Sequence, residues 1–195
     1  MTVTTQPDPV AVGRRAAEIL AGIKGDEEFE RLEESTKLYP DCWASYTGYP
    51  IIAQWNEPVD KHPLFVEGLR LLALKAAVYE LSGGDEASAE LLASAPVDEM
   101  VHAILAQYTV ANRIQDRVGM KFVHMTDTER WGYNAGDYTH QCYTAAFGAE
   151  PPERYWIGKA ETARRLAVLR ERYDSIGIRD MGKSHNIDFG LPALV

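Results

Sequence analysis

Two carboxylates and a histidine fall within about one helical turn in residues 96–102. Asp98 and His102 are four positions apart, so a helix places a carboxylate oxygen and an imidazole nitrogen on the same face. A second histidine, His124, follows Gly119, where a return of the chain can bring it back toward the first two. Histidine and carboxylate are ligands that suit zinc, iron and other first-row metals. The pattern therefore predicts a metal site formed by Asp98, His102 and His124.

Such a site has a definite chemistry. Two histidines and one carboxylate form the facial arrangement of non-haem iron sites, and three protein ligands leave positions for water or substrate. We therefore expect a divalent first-row metal, iron or zinc, as the cofactor. Glu99 and His102 are the predicted catalytic residues, Glu99 as a partner of the ligands or a general base. Without metal, His102 paired with Asp98 could still act as a general base.

A structural interpretation of the same residues stays open. Acidic residues in the first turn after Pro96 complement the helix dipole without any further role. His102 could then be a buried histidine whose hydrogen bonds a carboxylate satisfies. The other histidines are weaker candidates: His62 precedes a proline at a predicted helix start, and His140 lies two positions from Cys142, which splays the pair on a helix.

Residues 39–58 form an aromatic loop interrupted by proline and glycine. Long loops without regular structure are uncommon in compact domains unless they serve function, and tryptophan and tyrosine combine apolar area with a polar tip. We therefore predict that Trp43, Tyr46 and Trp55 bind the substrate.

Most of the remaining chain has helical periodicity. Helices are predicted over residues 10–23, 26–38, 63–81, 85–92, 96–118, 137–147 and 152–173. The expected fold is all-α, a single compact domain of about six or seven helices with an aromatic loop. Residues 1–9 are expected to be a disordered tail, residues 10–176 the helical domain and residues 177–195 an extended C-terminal arm.

The charge and the apolar content of the chain restrict the classes of partner that it can bind. The net charge is −9, and residues 1–100 contain 18 acidic against 8 basic residues, which disfavours a nucleic-acid partner. No segment has the apolar length of a membrane span, and residues 1–9 lack the apolar run of a secretory signal. The two cysteines, Cys42 and Cys142, form no CxxC pair. We expect a cytoplasmic protein whose partner is a small-molecule substrate, with a homo-oligomer left open.

Residues 93–156 resemble the glycine-rich-domain-containing protein family, in particular its short actinobacterial members. The matching positions are Val97, Asp98, Glu99, His102, Gly119, His124, Tyr143, Phe147, Gly148, Pro151 and Trp156. The chain departs from the family pattern at Val101, Gln107 and Met125, where tryptophan and two further histidines are usual. The resemblance implies that Asp98, His102 and His124 cluster in space.

The sequence thus predicts a metal-dependent or histidine-based enzyme acting on a small organic substrate, in bacterial specialised metabolism. The alternative is a non-catalytic helical binding module whose histidines are structural.

Overall fold

The structure is a computed structural model, and it describes residues 6–39, 49–125, 132–179, 182, 184–188 and 190. Helices make up most of these residues. Within these residues there are eight α-helices: α1 (Pro9–Lys24), α2 (Phe29–Leu38), α3 (Glu57–Leu81), α4 (Glu86–Ala89), α5 (Ala95–Leu105), α6 (Tyr108–Val118), α7 (Tyr138–Phe147) and α8 (Lys159–Ser175). A short 3₁₀ helix, Tyr49–Ile51, precedes α3.

Helix α3 lies at the centre of the core. Its buried residues occupy every face, among them Leu64, Phe65, Leu71 and Leu74, which is the pattern of a helix surrounded by other elements. Helices α1, α5 and α7 pack against it. It begins six residues before the expected start, so Pro63 lies inside the helix. Proline has no amide proton, so the Val59 carbonyl lacks its helical partner. Val59 is exposed, which makes the loss easier to tolerate.

Helices α1 and α7 approach closely. Helix α1 begins at Pro9 after the N-cap Asp8, whose side chain accepts from the Ala11 amide. Gly13 faces α7, and a Cβ built on it would lie 2.7 Å from the backbone of Ala145. The glycine therefore sets the distance between these two helices.

The expected long helix over residues 96–118 is wrong, because the chain forms two helices there. In a continuous helix the Gln107 amide would bind the Ala103 carbonyl. Instead the Gln107 side chain donates to that carbonyl at 3.3 Å, and the Gln107 amide bonds Ile104. This local competition ends α5 and begins α6, and it raises the helix number above the expected six or seven.

The last helix begins later than the sequence predicts. Helix α8 begins at Lys159 and not near residue 152, because Tyr155 and Trp156 are buried in an irregular segment. After α8, strands β1 (Ile178–Arg179) and β2 (Ser184–His185) pair antiparallel.

The fold class is confirmed: the structure is an all-α single compact domain. Among the described helices, none combines the length and apolar character that a membrane span requires.

Candidate metal centre

Asp98, His102 and His124 converge in the structure. One ligand atom from each residue lies within 4.8 Å of the corresponding atoms of the other two. The predicted convergence of these three side chains is therefore confirmed, and it joins α5 to the segment that follows α6.

Helix α5 positions the first two residues by its own geometry. Asp98 and His102 are one turn apart, and His102 Nε2 lies 3.7 Å from Asp98 Oδ2. On the other side of the ring, His102 Nδ1 lies 3.6 Å from Glu99 Oε2. The imidazole is thus flanked by a carboxylate on each side, with Nε2 directed to the Asp98 side.

The return after α6 positions His124. Gly119 ends α6 in the left-handed conformation, with φ of 72°, which favours glycine. Phe122 and Val123 then enter the core, and the Phe122 amide donates to Gln115 Oε1. With these neighbours anchored, His124 lies with its ring centroid 4.7 Å from that of His102.

Lys75 and Glu90 form a buried ion pair next to His124, and the sequence did not predict it. Lys75 of α3 donates to Glu90 Oε2 at 2.7 Å, and its Nζ lies 3.1 Å from His124 Nδ1. The other Glu90 oxygen accepts from the Met125 amide at 2.6 Å. The signal in the sequence was a lone lysine inside the apolar run of residues 71–78, since lysine is rarely buried unless it is paired.

Burial strengthens the electrostatic interactions of the charged groups in this cluster. The side chains of Asp98 and Glu99 are 4% and 11% exposed, whereas that of His102 is 34% exposed. The mostly buried carboxylates lie in a place of reduced dielectric. The imidazole is partly exposed, but its Nε2 is buried.

Of the three predicted substrate-binding residues, only Trp55 belongs to the part of the chain that the structure describes, and it lies away from this centre. Trp43 and Tyr46 lie outside the described residues. Trp55 packs on the core just before α3, whereas Lys75, which contacts His124, lies eighteen residues beyond the first residue of that helix, roughly 27 Å along its axis. The substrate-binding role of the three residues stays a prediction.

Two further histidines of the described residues lie elsewhere, each beside a carboxylate. His62 Nδ1 is 2.6 Å from Glu33. His140 lies between the Tyr133 hydroxyl, 2.9 Å from Nδ1, and Glu150.

Several positions of the family resemblance form a second polar cluster, around Glu67 of α3. This buried carboxylate accepts from the Tyr143 hydroxyl at 2.9 Å and from Trp156 Nε1 at 2.8 Å, and Arg70 binds its other oxygen. Burial, followed by the neighbouring Glu67 charge, raises the pKa of Tyr143 above its usual value, so the hydroxyl stays a donor. The cluster ties α7 and the segment before α8 to the central helix.

A cavity of about 170 Å³ lies apart from the histidines. Its walls include Ala95, Tyr133, Ile157 and Leu166, and Asp98, His102 and His124 do not line it. It is mostly apolar and lies between α5 and the first turns of α8.

Comparison of the chain with protein-family models, with curated proteins and with solved structures finds no match in any of the three.

Proposed function

We propose that Asp98, His102 and His124 bind a divalent first-row metal, iron or zinc, and that the protein is a metal-dependent enzyme acting on a small organic substrate. The single observation that carries the proposal is the convergence of one carboxylate and two imidazoles from two separate segments, with ligand atoms within 4.8 Å of one another. The resemblance to the glycine-rich-domain-containing family is part of the same proposal.

The donor set and the charge both support a cation. Ligand atoms bound to one metal at about 2.1 Å lie roughly 3 Å apart, so the 3.7 Å between His102 Nε2 and Asp98 Oδ2 needs only a small closure. Asp98 and Glu99 supply two negative charges from mostly buried side chains, which a divalent cation balances. Glu99 also lies where a carboxylate commonly orients a ligating histidine.

The positions of the residues around the centre indicate a role for each of them. A bound metal would act as a Lewis acid and lower the pKa of a coordinated water. Three protein ligands leave room for water and substrate. Glu99 Oε2 lies 3.6 Å from His102 Nδ1 and is placed to hold the His102 ring or accept a proton.

Elemental analysis of protein purified without an affinity tag tests the proposal. We expect near-stoichiometric zinc or iron in the parent and none in His102→Ala, with the helical circular dichroism unchanged. His62→Ala is the matched control, because it removes a histidine bound to Glu33 and away from the centre, and it should retain the metal. A parent that stays metal-free after incubation with Zn²⁺ and with anaerobic Fe²⁺ would contradict the proposal.

A second candidate, a non-catalytic binding module, is favoured by one observation. The Lys75 ammonium group lies against His124 Nδ1, where a carboxylate or carbonyl is the usual partner of a metal-ligating histidine. In that case the two histidines would be part of a structural polar cluster. His102→Ala would then lower the melting temperature of a protein that never contained metal.

A further inference from the structure

Lys75 determines which nitrogen of His124 can carry the proton. Its Nζ lies 3.1 Å from His124 Nδ1 and 2.7 Å from Glu90 Oε2, and the lysine side chain is 1% exposed. An ammonium group has three protons and no lone pair, so it can only donate. Glu90 Oε2 accepts one of these protons. Nδ1 of His124 is therefore the acceptor in this contact.

We propose that Lys75 fixes neutral His124 in the tautomer protonated on Nε2 and thereby makes His124 the weaker, replaceable ligand of the metal centre. A neutral imidazole carries one proton, and when Nδ1 accepts a hydrogen bond that proton is on Nε2. That second ring nitrogen is buried. The ligand ranking rests on the proposed function, whereas the tautomer does not.

The two histidines of the centre thus have opposite partners. His102 has a carboxylate near each ring nitrogen, since Nδ1 lies 3.6 Å from Glu99 Oε2 and Nε2 lies 3.7 Å from Asp98 Oδ2. His124 Nδ1 faces an ammonium group, which withdraws electron density and leaves the proton on the nitrogen that a metal would need. The carboxylates therefore favour a cation at His102, whereas the ammonium group disfavours one at His124.

The ion pair is buried and held by further contacts. Lys75 is anchored in the central helix α3, and Glu90 binds both the ammonium group and the Met125 amide. The same carboxylate therefore fixes the lysine and the backbone next to His124. Lys75 and Glu90 are positioning residues, since they act on the centre through His124.

The tautomer can be read directly in the parent protein. A long-range ¹H–¹⁵N correlation spectrum of chelator-treated, ¹⁵N-labelled protein, recorded at mildly alkaline pH and assigned with His124→Gln, distinguishes the two neutral forms. We expect His124 to show a protonated Nε2 and an unprotonated Nδ1. The Nδ1-protonated form would overturn the proposal, and this measurement requires no change to the ion pair.

A variant tests the cause. Lys75→Met combined with Glu90→Gln removes the donor without leaving a lone buried charge. We expect its His124 to lose the preference for the Nε2 proton. Lys61→Met is the control, because Lys61 is another mostly buried lysine of α3 and pairs with Glu57; it should leave the His124 pattern unchanged. A folded double variant that keeps the parent tautomer would overturn the role of Lys75.

Zn²⁺ competition against a chromogenic chelator tests the ligand ranking. We expect His102→Ala to lose at least about tenfold more affinity than His124→Ala, in line with the usual influence of outer partners on metal affinity. Equal losses would overturn the ranking. A parent that binds no Zn²⁺ would overturn the proposed function and the ranking together, while the tautomer would still be decided by the spectrum.

Discussion

The rings of His102 and His124 lie 4.7 Å apart between centroids, with their planes inclined by 57°. One ring belongs to α5 and the other to the return after α6, so the contact depends on the whole path of α6 and on the anchoring of Phe122 and Val123. Two imidazoles and Asp98 in such proximity form a group that can hold a metal ion.

Glu99→Gln should weaken metal binding without removing it. The Glu99 carboxylate lies 3.6 Å from His102 Nδ1, and loss of such an outer partner usually costs about 10- to 100-fold in affinity. A Zn²⁺ competition titration measures the change. Glu171→Gln, which removes the same charge from an exposed position of α8, should bind as the parent does. If both variants bind equally well, Glu99 has no part in the centre.

Asp60→Asn should destabilise the protein at neutral pH by about 2 kcal/mol, because the buried carboxylate accepts hydrogen bonds from Arg154 and from the Tyr155 hydroxyl. Arg154 holds the pKa of Asp60 well below its usual range. The folded pKa is below the unfolded one, so this stabilisation is complete above about pH 4 and is lost as the pH falls toward the depressed folded pKa.

Urea denaturation at neutral and acidic pH checks that prediction. The difference in unfolding free energy between parent and Asp60→Asn should shrink as the pH falls below about 4. Glu153→Gln removes a neighbouring exposed charge and should change little at either pH. A difference that stays constant with pH would show that the Asp60 charge is not the stabilising element.

Gly13→Ala should destabilise the fold although alanine is the better helix former. Its Cβ would lie 2.7 Å from Ala145 C and Ala146 N, which are backbone atoms of α7, and overpacking of this kind costs about 1–3 kcal/mol. That exceeds the roughly 1 kcal/mol that helix propensity returns. Thermal unfolding followed by circular dichroism measures the result, and an unchanged or raised melting temperature would refute this account of the α1–α7 contact.

Cys142 should resist alkylation in the native protein. Burial is the main cause that raises the pKa of its thiol to about 11, and the side chain is inaccessible in α7. Only the thiolate reacts readily. Iodoacetamide labelling followed by peptide mass spectrometry should show modification of Cys142 in denaturant and almost none without it. Rapid labelling of the native protein would contradict the buried position.

Local patterns in the sequence were sufficient to predict most of the helices. The apolar spacing of α1 repeats within each turn of the helix, so residue types and intervals determine it. The same holds for the Asp98–His102 pair, because four positions on any helix share a face. Gly119 likewise predicts the end of α6 from its own backbone preference.

Long-range contacts decided the rest. Nothing in their spacing relates Lys75, Glu90 and His124, since the three meet only when α3 packs beside the return after α6. The break between α5 and α6 depends on one side chain competing for a backbone carbonyl, which periodicity does not register. The sequence by itself thus determined most of the helices and the three candidate residues of the centre. Tertiary packing decided how His124 meets the pair on α5 and which charged partner it received, because such contacts join segments whose separation along the chain carries no geometric information.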